Sequence, residues 1–254
     1  MMTAHRFVKA PLLAAGALTL ALALSACKKD AAPAATGTVS GAPVAAAAPP
    51  AGKAWSDVVA ATADGGMVMG NPNAPIKLVE YGSLSCPHCA KLANEGMSKL
   101  VGTYVASGKV SYEYRSFAIH SVDIPLTVLV RCASPDAFFG LVEQLYTNQD
   151  ALLTRAQANE AAAKQAASLP PAQRLVAMSD ALGFTEFFSA RGLATDQAHK
   201  CLADTTAAEK VAKEAEATGA AGIDSTPTLL INGTKQTALT WPELEAALQT
   251  AGAR

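Results

Sequence analysis

Charge is scarce in this 254-residue chain: 16% of residues are charged, with 20 Lys and Arg against 21 Asp and Glu and a formal net charge of −1. No Lys/Arg cluster restores a local positive field, so a nucleic-acid binder is excluded. Aromatic residues are few as well, at 6%, although half the chain is hydrophobic. Alanine is heavily used, which favours helices and small-residue packing over aromatic-rich β architecture. The apolar run from Ala10 to Leu24 falls short of the roughly 20 residues that a helical membrane span needs. Cysteine is limited to five residues, Cys27, Cys86, Cys89, Cys132 and Cys201. The remainder is the size of one large domain or a domain carrying an insertion.

The N-terminus reads as a targeting segment. His5, Arg6 and Lys9 form a basic stretch before the apolar run, which ends in Leu24-Ser25-Ala26-Cys27 followed by Lys28-Lys29-Asp30. That ending resembles the lipobox of bacterial lipoproteins, in which the cysteine becomes the lipidated first residue. The alternative is an ordinary signal peptide with a chance cysteine. The resemblance implies a signal peptide over 1–26, a lipid on Cys27 and, from the non-Asp residue after it, the outer membrane. Residues 27–54 are mainly Ala, Pro, Gly, Ser and Thr; with little to bury, they are expected to be a flexible tether. Export implies an oxidising compartment, on the periplasmic side of a bacterial membrane. The four cysteines other than Cys27 then make two pairs.

Further along, Gly66–Gly70 suggests a short strand, and Ile76–Tyr81, bounded by Pro75 and Gly82, a second. Ala90–Tyr104 has helical periodicity through Leu92, Met97, Leu100 and Val101, and Val110–Phe117 alternates as a strand. From Pro125 to Thr218 no strand-like run survives, and Pro135, Pro170-Pro171, Gly183 and Gly192 divide it into four to six helices. Thr226–Ile231 is a strand, Asn232-Gly233 a hairpin turn, and a short strand spans about Lys235 to Ala238. Thr240 and Glu243 mark the capping box of a final helix. The crossover helix makes the strands around it parallel, and the hairpin adds antiparallel pairing. The expectation is an α/β fold with a mixed sheet over 55–120 and 219–254, and an all-helical insertion over 121–218.

Cys86-Pro87-His88-Cys89 sits where a strand meets a helix. The first cysteine of such a pair stands at the helix N-terminus, where free N–H groups and the positive dipole end stabilise a thiolate. The second lies almost one turn deeper. Pro87 suits the first turn, and His88 can donate a hydrogen bond or carry positive charge. Half a zinc site is the rival reading, but Cys132 and Cys201 are remote and His120 and His199 lack ligand-like spacing, so no metal is expected.

On these residues the chain resembles the DsbA-like thioredoxin-fold thiol–disulfide oxidoreductases, from about Asn71 to the C-terminus. The resemblance implies a thioredoxin fold in which the long helical block is the family's inserted helical domain. Glu80, six residues before Cys86 on the face of Ile76 and Leu78, takes the place of the family's buried acid, exchanging protons with Cys89. Thr226-Pro227 matches the family's cis-proline site, whose backbone pairs with extended substrate. Cys132 and Cys201 correspond to an extra disulfide that some members carry, and a structural role is assigned to them.

The implied activity is the introduction of disulfides into reduced or unfolded exported proteins, without a cofactor beyond the Cys86–Cys89 pair. A DsbB-type membrane partner would reoxidise it, and a monomer is expected. Pro-His between the cysteines is associated with oxidising members, whereas Thr226 in place of valine keeps reductase or isomerase activity open. A non-catalytic, chaperone-like binding lipoprotein is the reading from a different class. Phe138-Phe139, Phe187-Phe188 and Tyr146 are expected to fill the core of the insertion, with a substrate groove near the disulfide as the alternative place for some of them.

Overall fold

The computed structural model describes residues 1–3 and 34–254. The predicted signal peptide beyond Thr3 and the lipidation position Cys27 lie outside the described residues.

Among the described residues, β1 (Val59–Ala61), β2 (Met67–Gly70), β3 (Ile76–Gly82), β4 (Val110–Ser116), β5 (Thr228–Ile231) and β6 (Thr234–Lys235) form one sheet. Their order is β1-β2-β4-β3-β5-β6. Helix α1 (Pro87–Lys99) crosses from β3 to β4, and these two strands are parallel, from Ile76 opposite Val110 to Gly82 opposite Ser116. All other pairings are antiparallel. Strand β3 is central, and its alternation buries Ile76, Leu78, Glu80 and Gly82 while Lys77, Val79 and Tyr81 are half-buried. The hairpin between β5 and β6 turns on Asn232 and Gly233, whose φ values of 49° and 80° fit a primed turn. Strand β6 is shorter than expected; past it the Gln236 N–H still meets the Leu229 carbonyl at 2.8 Å, while its side-chain amide donates to the Thr234 carbonyl at 2.7 Å. The three-residue β1 is too short to leave an alternation readable in sequence.

Between β4 and β5 lie α2 (Asp123–Cys132), α3 (Phe138–Thr147), α4 (Gln149–Ala158), α5 (Glu160–Ala166), α6 (Pro171–Leu182), α7 (Phe184–Ser189), α8 (Thr195–Ala203) and α9 (Thr205–Ala220). These eight helices exceed the four to six expected, and two extra breaks fall at single asparagines. Asn148 (φ −107°, ψ 11°) and Asn159 (φ −106°, ψ 13°) leave helical geometry. Each turns its side-chain amide onto a carbonyl four residues back, Gln144 at 2.7 Å and Arg155 at 2.8 Å. Asparagine competes with the helix for its own backbone in this way. Helix α10 (Trp241–Leu248) closes the fold, its Glu243 carboxylate accepting the N–H groups of Leu239 and Thr240, both at 3.0 Å. It packs against α1 at Gly96, where any Cβ would overlap the Trp241 ring.

The described part of the stretch expected to be a tether is bound to the domain. The N–H of Gly37 meets the Lys235 carbonyl at 3.2 Å, Gly41 meets Thr250 at 3.0 Å, Val44 meets Gly252 at 2.9 Å and Ala47 meets Ser107 at 3.0 Å. The indole of Trp55 donates to the Ala47 carbonyl at 2.7 Å. The small side chains that offer little apolar area let backbone approach backbone. A Cβ on Gly41 would stand 2.6 Å from the Ala251 carbonyl oxygen.

The expected aromatic core is also placed differently. Phe184 and Phe188 are fully buried within the insertion, but Phe138, Phe139 and Tyr146 face the sheet. Phe139 packs on Tyr112 and Phe138 on Tyr114, with ring centroids 5.5 and 6.1 Å apart. Helix α3 is therefore shared between the insertion and the sheet.

Cys132 at the end of α2 and Cys201 in α8 are joined by a disulfide across 69 residues. Closing a loop of that length stabilises the fold by about 4 kcal/mol on the chain-entropy model. A Cys132→Ser/Cys201→Ser variant is expected to fold with a urea stability lower by about that amount. An unchanged midpoint would mean that the bridge contributes nothing to the folded insertion.

Candidate active site

Strand β3 ends at Gly82, and residues 83–85 deliver Cys86 to the N-cap of α1 with extended geometry (φ −81°, ψ 120°). Pro87 occupies the first turn, where no N–H is required. Both thiols are free; Cys89 is fully buried and Cys86 is 4% exposed. His88 is exposed. From across the sheet, the turn before β5 brings Thr226 over Cys86, whose Sγ lies 3.4 Å from the Thr226 carbonyl. The Thr226–Pro227 peptide bond is cis.

This arrangement separates the two thiols. Cys86 is lowered to about 5, chiefly by the hydrogen bond from the Cys89 thiol, with Thr226 and the backbone N–H groups of Cys89 and His88 adding to it against the opposing effect of burial. The Thr226 hydroxyl is buried, with no other hydrogen-bond partner in place among the described residues to compete for it. Cys89 moves the other way: burial pushes it far up, aided by its hydrogen bond to Cys86 and the negative field of Glu80. One thiol is a thiolate at neutral pH and the other stays protonated.

Glu80 lies beneath the pair, 4% exposed. Burial raises its carboxyl to about 7, opposed by the hydrogen bond from Tyr112 and assisted by the charge on Cys86. The Tyr112 hydroxyl donates to Oε2 at 2.7 Å, while Oε1 has no partner among the described residues. A cavity of about 10 Å³ adjoins the carboxyl, walled by Leu78, Leu92, Gly96, Tyr112 and Trp241. That is about the least space one water molecule needs.

Beside it, the hydroxyls of Tyr114 and Tyr146 meet at 2.8 Å, and Tyr146 also donates to the Ser83 carbonyl at 3.1 Å. Gly82 is required there, since a Cβ would come within 2.5 Å of the Tyr114 ring. Gln149, at the start of α4, donates to the carbonyls of Leu84 at 2.8 Å and Cys86 at 3.2 Å.

The structure thus brings together Cys86, Pro87, His88, Cys89, Glu80, Thr226 and Pro227, while Cys132 and Cys201 form a bridge in the insertion. Tyr112, Tyr114, Asp123 and Gln149 also shape the site and escape the sequence reading, and Tyr146, read there among the aromatics of the insertion, joins them. The alternation of Tyr112 and Tyr114 on one face of a strand is a legible signal. Asp123 and Gln149 look like ordinary helix-start residues. Among the described residues no cluster of three or more His, Cys, Asp or Glu could hold a metal ion.

The Glu80 carboxyl gives a stability test. The folded protein retains its proton up to about pH 7, whereas the unfolded chain releases it near 4.5. Between those values the folded state binds more protons, so this group's contribution to stability falls as pH rises through that window, by about 3 kcal/mol in full. Cys86, lowered to about 5, gains stability over the same window, so the Glu80 contribution reads as a difference. Between pH about 4.5 and about 7, urea unfolding of reduced Glu80→Gln should show a larger gain in stability than the unaltered protein, by about that amount. Equal pH slopes in the two proteins would mean that Glu80 titrates as an ordinary carboxyl.

Comparison with known proteins agrees with this geometry. The thioredoxin family model matches residues 62–250. A Rickettsia bellii protein named as a protein-disulfide oxidoreductase is 32% identical over 83 residues, 33% of this chain and 32% of that protein. The match therefore spans about a third of that curated relative. Among solved structures, a protein-disulfide isomerase from Novosphingobium aromaticivorans superposes with a TM-score of 0.67 at 29% identity, covering 74% of this chain and 97% of the other. Wolbachia pipientis alpha-DsbA1 shares the fold with a TM-score of 0.56 at 20% identity, covering 73% and 90%. With the family model matching most of its length, and a sheet interrupted by a helical insertion as in these DsbA-like structures, the chain belongs to the thioredoxin family.

Proposed function

We propose that the protein is an extracytoplasmic thiol–disulfide oxidoreductase that introduces disulfides into exported proteins through Cys86 and Cys89. The observation that carries this reading is the opposed ionisation of the two thiols above a carboxyl held near neutrality. In the oxidised form a substrate thiolate attacks Cys86 Sγ. The Cys86–Cys89 bond breaks, and Cys89 leaves with the electron pair and takes a proton from Glu80. The substrate's second thiolate attacks its own sulfur in the mixed disulfide and expels Cys86 as a thiolate. The substrate has then lost two electrons and the dithiol has gained them. The backbone at Thr226 would hold the extended substrate as an added strand.

A quinone-linked membrane partner of the DsbB type is the proposed electron acceptor, and lipidation of Cys27 the proposed anchor on the periplasmic side of a bacterial membrane, the outer membrane by its following residue. Cys27 lies in the segment before the bound strap, and no described helix is long and apolar enough to cross a membrane. Reductase or isomerase activity is the second reading, favoured by Thr226 and by the isomerase name of the 29% identical structure.

A glutathione titration of the Cys86/Cys89 pair decides between them. A low-pKa leaving thiol destabilises the disulfide, so the potential is expected well above the roughly −270 mV of thioredoxin, towards the roughly −120 mV of DsbA. Thiolate absorbance should titrate near pH 5 and vanish in Cys86→Ser. A potential near thioredoxin's would replace the oxidase with a reductase.

A further inference from the structure

The loop that delivers Cys86 is held from outside the thioredoxin core. Asp123, the first residue of α2, is fully buried and belongs to the insertion. Its carboxylate accepts the Ser83 hydroxyl at 3.0 Å on one oxygen and 2.9 Å on the other. The N–H of Ser85 reaches it at 2.9 Å, and those of Ile119 and His120 at 3.1 and 3.0 Å. Four donor groups from two chain segments thus converge on one carboxylate.

The side chains around Asp123 have the composition of a Ser–His–Asp nucleophile, with Ser85 Oγ 2.9 Å from His120 Nδ1. The geometry rules this out. Asp123 approaches the same Nδ1, at 3.8 Å, so the ring cannot relay a proton between the two. Ser85 is buried and Asp123 is already saturated by its donors. What remains is a bracket between the loop before Cys86 and the turn that opens α2. Gln149 supplies a second arm from α4, onto the carbonyls of Leu84 and Cys86.

We propose that Asp123 is a positioning residue of the dithiol centre, clamping residues 83–85 to the insertion so that Cys86 Sγ stays in line with its hydrogen-bond donors. This rests on the oxidoreductase reading and assigns the insertion a part in it: the insertion holds the nucleophile in place. Cys86 receives its stabilising contacts from His88 and Cys89, on the helix that it caps, and from Thr226, across the sheet. Releasing the loop before Cys86 lets the sulfur shift against both.

The charge and the position of Asp123 act in opposite directions, which makes the clamp testable. Removing a buried negative charge near Cys86 would by itself favour the thiolate and lower the thiol pKa. Removing the clamp weakens the donors' hold and raises it. In the full chain, Asp123→Asn keeps the shape but offers one acceptor in place of two and turns an amide donor toward N–H groups. The expected result is a raised Cys86 thiol pKa by thiolate absorbance, and mixed-disulfide formation with glutathione slower on the order of tenfold or more.

Ser179→Ala breaks the Ser179–Thr185 hydroxyl pair elsewhere in the insertion and is expected to lower stability without moving either quantity. If Asp123→Asn does not fold, Ser83→Ala removes one donor and should shift the thiol the same way to a smaller extent. An unchanged or lowered Cys86 pKa in the folded variants, with only stability lost, would overturn the clamp and leave Asp123 a helix-start residue. If the unaltered protein exchanges no disulfides with glutathione, the oxidoreductase reading fails. The direction of the Cys86 shift still decides the clamp in that case.

Discussion

A thiolate must exist at Cys86 with no cationic side chain among the groups that stabilise it. The stabilisation comes from dipoles: the Cys89 thiol, the N–H groups that open α1 and the Thr226 hydroxyl. Dipolar stabilisation falls off steeply with distance and angle, so it demands fixed geometry. The rest of the site can be read as the supply of that geometry from separate stretches of chain. Pro87 and the strand-to-helix turn set the helix end, β5 sets Thr226, and the insertion holds the loop.

The parallel pairing of β3 and β4 puts Glu80 and Tyr112 on one buried face beneath the helix end. The antiparallel return of β5 brings the cis peptide over the same point. Below Cys86 the layer is polar but electrically quiet. Tyr112, Tyr114 and Tyr146 are buried phenols held far above their usual range, chiefly by burial. They supply hydrogen bonds to oxygen without adding charge. Two of them belong to the sheet and one to the insertion, so the inserted helices complete the floor of the site as well as bracketing its loop.

This division explains what the sequence discloses. The Cys86–Cys89 pair and Glu80 are legible because each breaks a local rule, paired thiols at a strand end and an acid on an apolar strand face, whereas Thr226-Pro227, an ordinary strand start, is legible only through the family resemblance. The mixed character of the sheet follows from one crossover and one Asn-Gly turn, but its strand order does not. Asp123 breaks no rule, since an acid at a helix start is ordinary, and two of its partners, Ser83 and Ser85, lie 40 and 38 residues away in a loop without pattern. Asn148 and Asn159 end helices through side-chain bonds that hydrophobic periodicity does not record. The strap over 35–54 is misread for a related reason. Its small residues bury little side-chain area, and what they bury instead is backbone.

The separation of the two thiols bears on which form the centre favours. In the disulfide neither sulfur carries charge, and the dipoles that converge on Cys86 have no anion to stabilise. On reduction Cys86 becomes a thiolate at neutral pH and those dipoles come into play, while Cys89 and Glu80 remain able to hold protons. The dithiol therefore gains interactions that the disulfide lacks, which tilts the couple toward accepting electrons. Glu80 limits the effect, since an ionised carboxylate beneath Cys86 would oppose its charge. A carboxyl held near pH 7 is largely neutral just below that value, where it opposes the thiolate least and can still deliver a proton to Cys89. The raised carboxyl and the lowered thiol are thus two consequences of the same buried geometry, and each requires the other to remain in place.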